Sequence, residues 1–174
     1  MHKDSVGEPA AGSPLIDRVV GLVTKIGGAL SALLIFVVLV LTAVNVVARY
    51  LLDRPIQGVD EATGFLVVAI VMAGAAEAFR RGDHIRIDLL IDHCGPRLHR
   101  WLEAWATAAV LLFAGLLVHT AWDTVAFSRR FGAYSTGYLG IPLWIPQSAL
   151  VVGGVLLGLA AAARLLTLAL GRRP

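Results

Sequence analysis

Four apolar stretches, Ile26–Ala48, Val59–Phe79, Trp101–Ala121 and Ile145–Leu170, divide the chain, and the polar residues gather in short connections between them. Each stretch is long enough, at about 1.5 Å of rise per residue, for a helix to cross a hydrocarbon core about 30 Å thick. A strand would cross with about ten residues. A helix also satisfies its own backbone N–H and C=O groups where water cannot reach them. The pattern therefore predicts an all-α integral membrane protein with four transmembrane helices. The first stretch is longer than a signal-peptide core and has no small-residue cleavage site after it, so it is expected to remain as an anchor.

Residues 1–14, rich in Gly, Pro and Ala, read as a flexible tail, and residues 15–174 as a single membrane domain. Over residues 15–25 the periodicity is helical and two-sided. Leu15, Ile16, Val19, Val20, Leu22, Val23 and Ile26 share an arc of roughly 160°, with Asp17, Arg18, Gly21, Thr24 and Lys25 opposite. Such a segment predicts an interfacial amphipathic helix whose Arg and Lys meet anionic lipid headgroups, with Gly27-Gly28 as the break before the first span. The alternative is that these residues are the first turns of that span, protruding from the membrane. In Ile85–Ile91 the periodicity does not decide between a short surface helix and an extended connection.

Composition agrees with the pattern: 57% of residues are hydrophobic and 16% charged. Of the 15 Lys and Arg, eleven lie before the first span, between spans two and three, or from Arg164 onward. Only Arg49, Arg54, Arg129 and Arg130 lie on the other side. Cytoplasmic loops retain Lys and Arg, so both termini and the middle loop are expected in the cytoplasm. Because the basic residues sit beside the spans and form no aromatic-interleaved stripe, the net charge of +3 does not point to nucleic acid. Trp101, Trp105, Trp122 and Trp144 all fall at expected interfaces. The single Cys94 excludes an intramolecular disulfide and a four-cysteine zinc site.

Few residues could carry chemistry. Glu77 precedes Arg80 and Arg81 at helical spacing and reads as a neutralised acid at the inner boundary, in a charge cluster with His84 and Asp88. Asp60 and Glu61 open span two, where the helix dipole favours carboxylates. Arg49 closes span one on the same boundary, so contact with Asp60 or Glu61 would pin the first hairpin. Asn45, one turn before Arg49, could hydrogen-bond across helices. His119 reads as a hydrogen-bonded interfacial residue. The other histidines lie outside the spans, so no bis-histidine haem site forms, and no cofactor, metal or enzymatic constellation is expected.

Gly154 and Gly158 form a G-xxx-G face on span four, and Gly27 with Ser31 and Gly74 with Ala78 repeat the small-residue spacing that permits close helix approach. The outer connection, Asp123–Ile141, carries Arg129, Arg130 and Tyr134. It reads equally as a protein-contact surface or as an interfacial loop.

The run NVVARYLLDRPIQGVDEATGFLVVAIVMAGAAEAFRRGDHIRIDLL, from Asn45 to Leu90, resembles the small membrane subunit of tripartite ATP-independent periplasmic (TRAP) transporters, the DctQ-like family. Its order is Arg-Tyr closing span one, an acidic pair opening span two, Gly-Ala-Ala before a basic turn, then His-Ile-Arg-Ile-Asp. FGAYSTGYLGIPLWIP ahead of the last span extends the resemblance to about Ile26–Leu170. Where the family has a Trp shortly before its acidic pair, this chain reads Gln57-Gly58-Val59, and Asp60 replaces the first Glu. The resemblance implies a scaffold for a large TRAP permease subunit that holds the substrate and ion sites. A periplasmic solute-binding protein would deliver an organic acid, and an ion gradient would drive uptake across the bacterial inner membrane. Arg129, Arg130 and Tyr134 are candidates for docking that protein. The competing reading is a self-sufficient small four-helix proton-coupled exporter with Glu77 as carrier. It requires a membrane carboxylate free of cation partners, whereas Glu77 has two nearby.

Overall fold

The computed structural model describes residues 14–81 and 96–169. Cys94, His84, Asp88 and the Ile85–Ile91 stretch lie outside the described residues. Four helices account for nearly all the rest: α1 (Pro14–Leu51), α2 (Val59–Arg81), α3 (Pro96–Phe131) and α4 (Trp144–Ala169). All four are long and apolar enough to cross a membrane.

α2 and α4 match their apolar stretches to within a few residues, while α1 and α3 run well past theirs. An apolar stretch measures the thickness of lipid to be crossed, and a helix continues for as long as its backbone bonds do. The segment 15–25 is thus not a separate helix, because α1 runs through Gly27-Gly28 without interruption. The reason is packing. Gly27 lies so close to α2 that an added Cβ would stand 2.7 Å from the Ala73 carbonyl oxygen, and Gly28 meets the Glu77 side chain. Gly21 and Thr24, on the polar side of the segment, turn toward α2 and are buried. Val19, Leu22 and Ile26 point outward.

The helices pair as two hairpins, α1 with α2 and α3 with α4, joined through α2 and α4. The order across the array is α1, α2, α4, α3, with lighter contact between α1 and α4. α4 is the central rod: 28% of its most apolar window is buried, against 11% for α1 and for α3. Its Gly153 and Gly154 explain how it fits. A Cβ on Gly153 would stand 2.7 Å from the Met72 carbonyl oxygen of α2, and one on Gly154 2.8 Å from Val118 of α3. Adjacent glycines, about 100° apart around the helix, thus let two neighbours approach it on different sides, which suits a lipid setting where packing and hydrogen bonds hold helices together. Between α2, α3 and α4 the core consists of Ala76, Phe79, Ala114, Leu157, Ala160 and Ala161.

Candidate functional site: polar clusters at the two ends of the array

One end of the array holds the two described connections, 52–58 and 132–143; the other holds the start of α1 and α3 and the close of α2 and α4. Polar chemistry concentrates at these ends.

At the loop end α1 stops where Asp53 takes a left-handed φ of 51° and Ala48 accepts the Leu52 and Arg54 N–H groups, each at 3.2 Å. The chain then folds back over Asn45, whose buried side-chain oxygen accepts the Ile56 N–H at 3.0 Å. This bond closes the first hairpin. Arg49 is exposed, and no ion pair joins it to Asp60 or Glu61 among the described residues. Gly58, at φ 87°, accepts the Ala62 N–H and starts α2. Asp60 is exposed, but Glu61 reaches across to the other hairpin. Its carboxylate accepts the Ser135 hydroxyl and, at 3.1 Å, the Leu139 N–H.

α3 extends through Asp123–Phe131, so Arg129 and Arg130 occupy its last turn and the outer loop is shorter than expected. Gly132, at φ 58°, caps it, with the Ala133 N–H donating to Ser128 at 3.0 Å, the long-range bond of a Schellman motif. The loop then doubles back, Ser135 N–H to Ile141 and Leu143 N–H to Ala133, both at 2.9 Å. Arg129 stacks over the Trp144 ring at 4.9 Å, which ties α3 to the start of α4. Arg130, Tyr134 and Tyr138 remain exposed on this end.

At the terminal end Glu77 is buried and accepts from Arg81 Nε at 2.8 Å and Arg80 Nε at 3.3 Å. Arg80 also lies against Gly21 of α1. Across α4, Arg164 Nη2 donates to Glu103 of α3 at 2.6 Å and stacks over Phe79 of α2 at 5.7 Å. The side chains of this pair are mostly buried, at 18% and 15% exposed. Sequence reasoning missed it. The signal was available, because Glu103 is the only carboxylate and Arg164 the only Lys or Arg in their apolar stretches, and charges at membrane depth seek each other. The small-residue spacings are internal contacts here. Ser31 donates to the Ile70 carbonyl at 2.9 Å beside Gly74, and Gly158 faces Ala114.

Polar groups tied to one another at the ends, with small-residue seams between, suit a packed scaffold. A family model for the DctQ component of tripartite ATP-independent periplasmic transporters matches residues 38–171. The chain belongs to this family. It is a DctQ-like TRAP small permease subunit and a multi-pass protein of the bacterial inner membrane. It is 29% identical over 138 residues to the C4-dicarboxylate TRAP transporter small permease protein DctQ of Vibrio cholerae, a match covering 67% of this chain and 60% of that protein. To the ectoine TRAP transporter small permease protein TeaB of Halomonas elongata it is 26% identical over 136 residues, covering 76% and 70%.

Proposed function

We propose that this DctQ-like chain scaffolds the large permease subunit of a TRAP transporter and that the assembly takes up an organic acid, delivered by a periplasmic binding protein and driven by an ion gradient. The family match over residues 38–171 carries this reading. The geometry favours a passive role: Glu77, the carboxylate that the exporter reading would use as proton carrier, is held by two guanidinium groups. The relatives' names mention different cargoes, a C4-dicarboxylate and ectoine, which agrees with cargo selection by the other subunits.

In this reading the terminal end faces the cytoplasm, as its excess of Lys and Arg favours, and meets anionic headgroups through Arg18, Lys25, Arg80 and Arg81. The loop end then faces the periplasm, where Arg130, Tyr134 and Tyr138 offer the binding protein a contact patch. Arg129, already stacked on Trp144, positions that patch. The test is isolation of the tagged chain from membranes that also express the large subunit: co-isolation is expected, and its absence refutes the reading. Arg130→Glu with Tyr134→Ala should lower uptake while the membrane complex stays assembled; unchanged uptake removes the docking role.

A further inference from the structure

The two outer helices of the array differ in one respect that bears on what covers them. From Ile26 to Val47 the exposed side of α1 is apolar apart from Thr42 and carries no ionisable group, and it includes Leu30, Leu33, Phe36, Leu39, Val40 and Val44. The exposed side of α3 runs through Leu112, Phe113 and Leu116 and then presents His119 and Asp123. Their side chains are 78% and 67% exposed and lie 3.3 Å apart, from Nδ1 to Oδ2.

Depth makes this pair informative. Arg129 is level with Trp144 at the loop end; Asp123 is six residues back along α3, about 9 Å, and His119 ten residues, about 15 Å, which is deeper than the interfacial position expected of it from the sequence. Its neighbour Val118 packs on Gly154, near the middle of α4. Ionisable side chains at such depth face protein or a water-filled cavity rather than acyl chains. The i,i+4 pairing satisfies one imidazole nitrogen and one carboxylate oxygen, which leaves acceptor capacity on Asp123 and the second ring nitrogen of the exposed His119 unused among the described residues.

Two neighbouring features agree. Gly115, one turn from His119 on the same side, has open space where its Cβ would stand, room for a helix to approach closely. A cavity of about 110 Å³ beside this stretch is lined by Leu117, Thr120, Ala121, Thr124, Gln147 and Leu150. The buried Gln147 side-chain oxygen there has no donor among the described residues, since Thr120 and Thr124 donate to α3's own carbonyls.

We propose that the outward face of α3 around Gly115, His119 and Asp123 is the surface on which the large permease subunit docks, through a transmembrane helix carrying a hydrogen-bond donor opposite Asp123, while the apolar face of α1 meets lipid. This rests on the scaffold reading above and adds to it which helix makes the contact. A photo-reactive residue placed singly at Leu112, Leu116 or Phe127 on α3, or at Leu33, Phe36 or Val40 on α1, tests it in the whole complex. The α3 positions should form adducts with the large subunit and the α1 positions should not. Adducts from α1 alone, or from neither face of an intact complex, overturn the assignment and leave the scaffold reading standing. Failure of the unaltered chain to co-isolate the large subunit overturns both. His119→Leu with Asp123→Leu should also reduce co-isolated large subunit by about three- to tenfold, while His119→Gln with Asp123→Asn, which keeps hydrogen bonding, retains most of it. Full recovery with the leucine pair would likewise overturn the assignment.

Discussion

α1 and α3 are nearly equal in length, 38 and 36 residues, and their most apolar windows are equally exposed, yet they present different surfaces. The buried seam of α1 is small and polar, Gly21, Thr24, Gly27, Ser31, Asn45 and Ala48, and its outer side is oily. α3 buries a similar small and partly polar seam, Thr107, Ala114, Ala121 and Ser128, but shows His119 and Asp123 outside. Hydropathy averaged along a helix sees two spans. The placement of a few polar groups around each helix separates the side meant for lipid from the side meant for protein.

The sharpest way to break this comparison is at the glycines. Gly153→Leu would drive a side chain into the Met72 backbone and should destabilise the array by about 3 kcal/mol or more, enough to lose the folded protein in detergent. Gly115→Leu, placed in open space, should leave the melting temperature unchanged while weakening assembly with the large subunit. Equal melting temperatures for the two variants would show that α4 is not wedged between its neighbours.

Next in size is the Glu103–Arg164 pair. Glu103→Ala leaves the guanidinium beside Phe79 without its carboxylate and should cost about 3 kcal/mol in unfolding free energy, whereas replacing both partners with leucine should recover most of that. A double variant as unstable as the single would contradict the pairing. Asn45→Leu removes the acceptor that closes the first hairpin, at an expected cost of about 1–2 kcal/mol, and should speed amide exchange at Ile56. Arg49→Ala should leave both quantities unchanged. A small effect is also expected on the oily side of α1, where Phe36→Ala should shift stability by less than about 0.5 kcal/mol. A loss of complex from Phe36→Ala would assign to α1 the role given to α3.

Much of the fold was legible in the residues because lipid imposes a plain rule: about 20 apolar residues make a span. That rule placed α2 and α4 closely. It could not show that α1 continues through Gly27-Gly28, because those glycines read as a break until Ala73 and Glu77 are seen to occupy the space they leave. It also gave Asp123–Phe131 to a loop, although Ser128, Gly132 and Ala133 carry a capping motif that extends α3. Among site residues, the Glu77 cluster follows from i,i+3 and i,i+4 spacing alone. Glu61 was placed at the right helix end, but its partners, Ser135 and Leu139, lie more than 70 residues away, beyond the reach of local pattern. Proximity in sequence offers Arg49 a contact with Asp60 or Glu61, while the hairpin closes through the uncharged amide of Asn45.

The central claim is that this chain supports transport without performing it. Uptake into proteoliposomes under an imposed ion gradient, with the chain alone, the large subunit alone, and both together with the binding protein and its cargo, tests it most directly. Accumulation only when all the components are present is the predicted result; accumulation or efflux of a solute by this chain alone would contradict the account.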